Sequence, residues 1–280
     1  MLGAFRPFVP ADSAGPGRHF LRRPLPPTLP MTNQIEHLHV ACYRWGTRYG
    51  VEYVNKLFSM VGRHLSGPFT FHCVTDDPSG LSPGIVPHAL PANHFGGNWN
   101  KLMNFQADFL GLRGARLLAL DIDIVIVDSI DFVRERPELD FIIAKNWAKD
   151  GRGNSSFYRL KVGSHARVWE DFARAPEAAI EQWHGVNRRF GDQRWMSHAI
   201  ADYAFFPEGR IVSFKEHCAA RSREWKLPFG FRLTHGTHRK ARPPKGASVV
   251  LFHGVPLPPD VMDFACGRWR HAPFVAEHWR

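Results

Sequence analysis

The stretch that most limits what this chain can fold into is residues 115–127, ARLLALDIDIVIV. Leu117, Leu118, Ala119 and Leu120 run into Asp121-Ile122-Asp123, and Ile124 to Val127 continue the apolar run. A β-rich run of this kind predicts a strand buried on both faces, in a sheet covered by helices. Two carboxylates inside it are costly, because a buried ionised carboxylate must be paired or coordinated to recover its hydration. Side chains at i and i+2 of a strand point to one side, so Asp121 and Asp123 are expected to face one place together, where they repel. A divalent cation would remove the repulsion and the desolvation cost at once. Two solvated aspartates at a strand end would give the same letters. Their position between two apolar runs is what turns the reading toward metal.

The flanking sequence predicts the rest of such a sheet. Residues 37–43 read as a first strand, and residues 44–50 as a polar, glycine-bearing loop. Val51, Val54, Leu57, Phe58, Val61 and Leu65 recur at helical spacing, and Gly67-Pro68 ends that helix. Residues 69–74 and 84–90 read as the next strands, separated by Thr75-Asp76-Asp77-Pro78. This β-α-β start implies a parallel sheet with helices on its faces. Ligands then bind beyond the carboxyl ends of the strands, which puts the loops at 44–50 and 75–80 and the Asp pair on one rim. Further along, a helix is expected over 99–110 and strands over 139–144 and 155–162. Residues 146–154 read as a mobile loop. Helices follow over 164–173, with Ser164 as N-cap, over 176–183 and over 190–200. Residues 211–214 and 248–252 are late strands, the last delivering His253 to a turn.

The 280 residues suit one large domain. Residues 1–30 hold many prolines and glycines and one acid, Asp12. They are expected to be a disordered extension, with Met31 the true start and residues 31–280 the folded domain. The four cysteines lie far apart without C-x-x-C spacing, which argues for a reducing compartment. No run is long and apolar enough to span a bilayer. The formal charge of +10 points to an anionic partner, although high arginine usage would produce it too. Residues 221–245 carry Arg221, Arg223, Lys226, Arg232, Arg239, Lys240, Arg242 and Lys245 against the single acid Glu224. They read either as a solvated loop or as a clamp for phosphate or acceptor.

Taken together, four segments over about residues 36–258 resemble the GT-A-fold glycosyltransferases, closest to the family 8 and glycogenin-like group. LLALDIDIVIVDSIDF is similar to that group's metal-binding Asp-x-Asp segment. Gly191-Asp192-Gln193 resembles its later Asp-Gln beside the donor sugar. Arg152-Gly153-Asn154-Ser155-Ser156 sits where the group has an Asn-bearing strand start. Phe252-His253-Gly254 with Pro256 and Pro258 resembles its C-terminal His-x-x-Gly-x-Lys-Pro region, but Leu257 stands where the group has a lysine that contacts the diphosphate. One of the basic residues at 221–245 is a candidate replacement.

The resemblance implies a single α/β domain with a central, mostly parallel sheet. It also implies metal-dependent transfer, with retention, of a sugar from a nucleotide-diphosphate donor to an acceptor hydroxyl. A UDP-sugar is the expected donor and a glycan or glycolipid the expected acceptor. Mn²⁺ or Mg²⁺ would be held by Asp121, Asp123 and His253, since hard carboxylate oxygens suit both ions and an imidazole favours Mn²⁺. Asp192 and Gln193 would act at the sugar. Tyr43, Asp76, Lys101, Asp121 and Asn154 would bind the donor. The location implied is cytoplasmic, with the 221–245 cations meeting an anionic membrane or a phosphorylated acceptor. Three other readings compete. A nucleotidyltransferase would need a richer glycine loop than Gly46 and Gly50 provide, and a nucleic-acid-binding protein leaves the Asp pair unexplained. A non-catalytic domain of the same fold is favoured only by Leu257.

Overall fold

The apolar run at 115–127 does not form one strand. In the computed structural model, which describes residues 35–148, 151–183, 191–236 and 238–280, the run makes two strands in two different sheets. They are Arg116–Leu120 and Ile124–Ile126, and Asp121-Ile122-Asp123 is the turn between them. The i, i+2 argument for a shared face therefore does not apply. The two aspartates are neighbours because the chain turns there.

In chain order the strands are β1 (Leu38–Arg44), β2 (Phe69–Thr75), β3 (Ile85–Ala89), β4 (Arg116–Leu120), β5 (Ile124–Ile126) and β6 (Phe141–Lys145). They continue with β7 (Gly153–Lys161), β8 (Ala204–Phe205), β9 (Ile211–Ser213), β10 (Arg223–Lys226), β11 (Arg232–His235) and β12 (Val249–Leu251). The α-helices are α1 (Val51–His64), α2 (Arg167–Arg174), α3 (Pro176–Trp183), α4 (Gly191–Ala199), α5 (Phe214–His217), α6 (Pro258–Met262) and α7 (Pro273–His278). A seven-stranded sheet has the order β3-β2-β1-β4-β7-β6-β8. Only the β4–β7 and β6–β7 pairs are antiparallel, so the sheet is mostly parallel, as expected. A three-stranded sheet, β5-β12-β9, carries the chain's last buried strand.

Alternation along β4 explains why it is central. Leu118 and Leu120 join one core, with Val54, Leu57, Met60 and Val61 of α1, whose spacing is one helical face. Leu117 and Ala119 join the other, with Trp99, Leu102, Phe105 and Phe172. The parallel strands β1, β2 and β4 end on one rim. β7 runs antiparallel to β4, so it begins on that same rim. The loops at 44–50 and 75–80, the Asp turn and the start of β7 thus converge there.

Other expectations are corrected. The helix expected over 99–110 is a 3₁₀ helix, Gly97–Phe105, followed by a turn with Leu110 at φ 55°. Its residues from Trp99 to Phe105 are all buried, so its apolar spacing did not mark one face of a surface helix. Ser164 does not cap α2, because its hydroxyl donates to the Lys161 carbonyl at 2.7 Å and the helix starts later. Residues 221–245 are not all loop, since β10 and β11 form an antiparallel ribbon. The extension expected over residues 1–30 lies outside the described residues, as do positions 149–150 within the loop expected over 146–154. Residues 35–280 form one unit.

On β1 to β3 a row of histidines crosses the sheet. His39 Nδ1 lies 2.9 Å from His72 Nε2, and His72 Nδ1 lies 2.9 Å from His88 Nε2. Burial, then the neighbouring imidazoles His88 and His39, lowers the His72 pKa to about 4, so the row is neutral at its centre.

Candidate active site

Lys101 is the hub. It comes from the middle of the 3₁₀ helix and is buried. Its ammonium donates to Asp121 Oδ1 at 2.8 Å, to the Ser155 carbonyl at 3.2 Å and to Ser155 Oγ at 3.3 Å. It also lies 3.3 Å from Asp192 Oδ2. Burial works to lower the Lys101 pKa, but the carboxylates of Asp121 and Asp192 outweigh it and hold the ammonium above its ordinary value. One rim group from the 3₁₀ helix, one from the end of β4, one from the start of β7 and one from the first turn of α4 therefore meet at a single point.

Asp192 sits in the first turn of α4, buried. Its Oδ2 accepts the Ser155 hydroxyl at 2.7 Å, whereas its Oδ1 is buried with no hydrogen-bond partner. A buried carboxylate oxygen without a partner is expensive, and it marks a place where a ligand donor fits. Gln193 Oε1 lies 3.4 Å from the Ser155 backbone N–H. Gly191 explains how α4 comes so close. A Cβ there would stand 2.2 Å from Cζ2 of Trp99.

Asp123 is buried beside this cluster, and the Tyr49 hydroxyl donates to its Oδ2 at 3.0 Å. Burial, then the neighbouring Asp121 carboxylate, raises the Asp123 pKa to about 7. Two hard oxygen donors that repel each other out of water are the chemistry a divalent cation answers. His253 follows β12, which pairs with β5, so it is delivered to the same end of that sheet as the Asp turn. Its ring stacks on Trp147 at 4.7 Å, and its Nε2 lies 2.8 Å from Ser213 Oγ. Burial, then Lys215 and Arg221, lowers its pKa to about 4, leaving the neutral imidazole a metal requires. The three-ligand set is nonetheless not gathered. Among the described residues no three His, Cys, Asp or Glu side chains stand together as a metal site. Each expected ligand has a protein partner instead: Lys101 on Asp121, Tyr49 on Asp123, Ser213 on His253. The two aspartates fit a cation. His253 does not stand with them.

The other expected donor-binding residues separate. Tyr43 donates to Asn104 Oδ1 at 2.7 Å, and Asn104 donates to the Tyr158 hydroxyl at 2.7 Å. Its hydroxyl is thus committed inward, and burial raises its pKa. Asp76 is exposed and accepts the Gly46 backbone N–H at 2.9 Å, tying together the loops at 44–50 and 75–80. Asn154 Oδ1 accepts the Ser156 N–H at 2.9 Å, so its neighbour Ser155 is the residue that reaches the cluster. Leu257 opens α6, and its N–H donates to Asp260 at 2.7 Å. The cation beside His253 is Lys215 of α5, which reaches the His253 carbonyl at 2.5 Å. It lies outside the 221–245 segment from which a basic replacement was expected. A cavity of about 800 Å³ opens beside Trp147 and is lined also by Lys145, Phe205 and His217.

Sequence reasoning missed Tyr49, Ser155, Asn104, Trp147 and Ser213. Ser155 lay within the quoted segment. The others carried no motif and are found only through the fold.

No protein-family profile matches the chain, and no curated sequence matches it. Among solved structures, an active-site mutant of LgtC is similar to it with a TM-score of 0.54 at 12% identity, over 85% of this chain and 95% of that one. That likeness shows the fold, the GT-A type that the sequence resemblance implies. A second structure, the glycosyltransferase GlyE of Streptococcus pneumoniae TIGR4, aligns with a TM-score of 0.47 at 14% identity, over 63% of this chain. The chain spans less than half of GlyE, 46% of its length.

Proposed function

We propose that this chain is a metal-dependent glycosyltransferase that moves a sugar from a nucleotide-diphosphate donor to an acceptor hydroxyl. The observation that carries the reading is the meeting on the rim of Asp121 with the buried Lys101, Ser155 and Asp192, with one Asp192 oxygen unpartnered. The fold supports it, because open α/β sheets bind ligands at this rim.

Each group has a role in that reaction. Asp192 offers its free Oδ1 to a donor-sugar hydroxyl and places negative charge where an oxocarbenium-like transition state develops. Lys101 and Ser155 hold that carboxylate still. Gln193 sits one residue on, next to the same serine. Asp121 and Asp123 would hold Mn²⁺ or Mg²⁺, with the neutral His253 as the third donor that the resemblance implies. When bound, the ion would neutralise the departing diphosphate. Lys215, beside His253, supplies the cation that Leu257 does not. Retention, a UDP-sugar, a glycan or glycolipid acceptor, a cytoplasmic location and contact with an anionic membrane complete the proposal. Among the described residues, no helix is long and apolar enough to cross a membrane.

The test is a thermal-shift screen of nucleoside diphosphates with and without Mn²⁺, followed by donor turnover. A ligand that binds only the folded state raises the midpoint. One diphosphate that shifts it only with Mn²⁺, and turnover that Asp123→Asn abolishes, are the expected results. Full activity in that variant would overturn the metal assignment.

A further inference from the structure

The β10–β11 ribbon has one apolar face and nothing of the described chain covering it. The pairs Arg223–His235 and Trp225–Leu233 stand across from each other, and Leu227 N–H bonds the Phe231 carbonyl at 2.8 Å. In a strand, alternate residues share a face. One face of the ribbon therefore carries Trp225 and Leu227 on one strand and Phe231 and Leu233 on the other, whereas Glu224, Lys226 and Thr234 fall on the opposite face. The apolar side chains are exposed: Trp225 by 57%, Leu227 by 45%, Phe231 by 68% and Leu233 by 50%. Phe229, at the tip, is 98% exposed and holds φ 62°, a conformation that a bulky residue seldom adopts. A soluble surface rarely presents so many large apolar groups together without a partner.

The same face runs down to a cation-lined cavity. Arg223 and His235 close the base of the ribbon, and with His238, Arg239 and Arg270 they line a cavity of about 200 Å³. Arg270 Nε is buried there without a hydrogen-bond partner. Apolar groups at the tip and cations one ribbon-length below match the order of acyl chains and phosphates in a lipid leaflet. An acidic protein partner would pair the cations but leave the apolar tip unexplained.

We propose that the ribbon is a membrane-docking element for anionic lipid: Phe229, Phe231 and Trp225 enter the interface, and the cavity between Arg223, Arg239 and Arg270 takes a headgroup phosphate. The proposal deepens the location part of the functional reading. Its test needs neither donor nor metal, so its failure leaves the transferase reading standing, and the reverse holds too. Membrane binding of this kind scales with buried apolar surface plus attraction to anionic headgroups.

The experiment is co-sedimentation of the full chain with two kinds of vesicle, phosphatidylcholine alone and phosphatidylcholine mixed with phosphatidylglycerol. Binding is expected only to the mixed vesicles, and it weakens with salt. Phe229→Ser with Phe231→Ser is expected to lower affinity at least about tenfold. Each of Arg223→Gln and Arg239→Gln is expected to lower it about fivefold. All four positions are exposed, so these variants keep their fold, which the thermal midpoint checks. Equal binding to both vesicles, no binding, or binding unchanged by the ribbon substitutions would each overturn the proposal. So would sedimentation velocity showing a dimer that the Phe229→Ser, Phe231→Ser variant dissociates, because a second copy would then be the occupant.

Discussion

Replacing Lys101 with methionine is the sharpest perturbation the site offers. The ammonium is buried against Asp121 at 2.8 Å and Asp192 at 3.3 Å, and the Asp192 side chain has no exposure. Methionine keeps most of the volume and removes the charge. Two carboxylates are then left without their cation, one of them out of reach of water. Breaking a buried pair from one side costs about 3–5 kcal/mol, and the partial exposure of Asp121 argues for the lower end of that range. For a domain of this size that is a fall in midpoint of roughly 10 °C. The assay is thermal or urea unfolding at neutral pH with a chelator present. A second variant separates charge from packing. Lys101→Met with Asp192→Leu also removes the fully buried carboxylate and leaves only the part-exposed Asp121 unpaired, so the double variant is expected to recover part of the lost stability relative to the single one. If Lys101→Met unfolds within about 1 kcal/mol of the wild type, or the double variant is no better than the single one, the buried charge network is not what holds this site together.

The remaining perturbations each address one neighbour. Asp123→Asn is expected to be more stable than the wild type in chelator at pH 8, by about 1–3 kcal/mol, because the wild-type carboxylate is held ionised against a folded-state pKa of about 7. That advantage disappears on acidification toward pH 4, where the folded wild type has taken up its proton, and midpoints across pH would show it. His72 has the opposite sign. Its folded pKa of about 4 lies below the unfolded value of 6.5, so its contribution is complete above pH 6.5 and is lost as pH falls through 4. About 2 kcal/mol should go with it after allowance for screening, and His72→Leu should flatten that acid limb. Gly191→Ala brings a Cβ to 2.2 Å from the Trp99 ring. It is expected to cost about 1–3 kcal/mol and to lower turnover by moving Asp192, and an unchanged midpoint would contradict the packing described.

Much of this was legible because the signals were local. The apolar runs marked β1, β2, β4 and β12, and the spacing of Val54, Leu57 and Val61 marked α1. Asp121, Asp123, Lys101 and Asp192 were all singled out, and three of them meet. What could not be read was pairing at a distance. Nothing in the letters shows that an apolar run changes sheets midway, since a break at Asp121 and a buried carboxylate within a strand look alike. Tyr49 carries no motif, and it matters only because the loop after β1 folds back toward Asp123. Phe229 and Phe231 were hidden by their cationic neighbours. A run counted by charge reads as solvated loop, and only the ribbon's register shows that its apolar residues share a face.

The charges of the site carry one more consequence. Asp121, Asp123 and Asp192 bring three carboxylates to the rim, and Lys101 is bound to two of them. The third, Asp123, is left with a tyrosine hydroxyl and a repelling neighbour, and burial first, then that neighbour, raises its pKa. A purely structural cluster would gain by losing that carboxylate, because a neutral residue packs there without the repulsion. In the proposed function a divalent cation would answer that repulsion. Lys101 bears on the same proposal. Without it, an ion at the turn would meet Asp121 and Asp192 both stripped of their ammonium. With it, in the proposed function, Asp192 and Ser155 would be held for the sugar, and an ion at the Asp121–Asp123 turn would share Asp121 with the Lys101 ammonium 2.8 Å away.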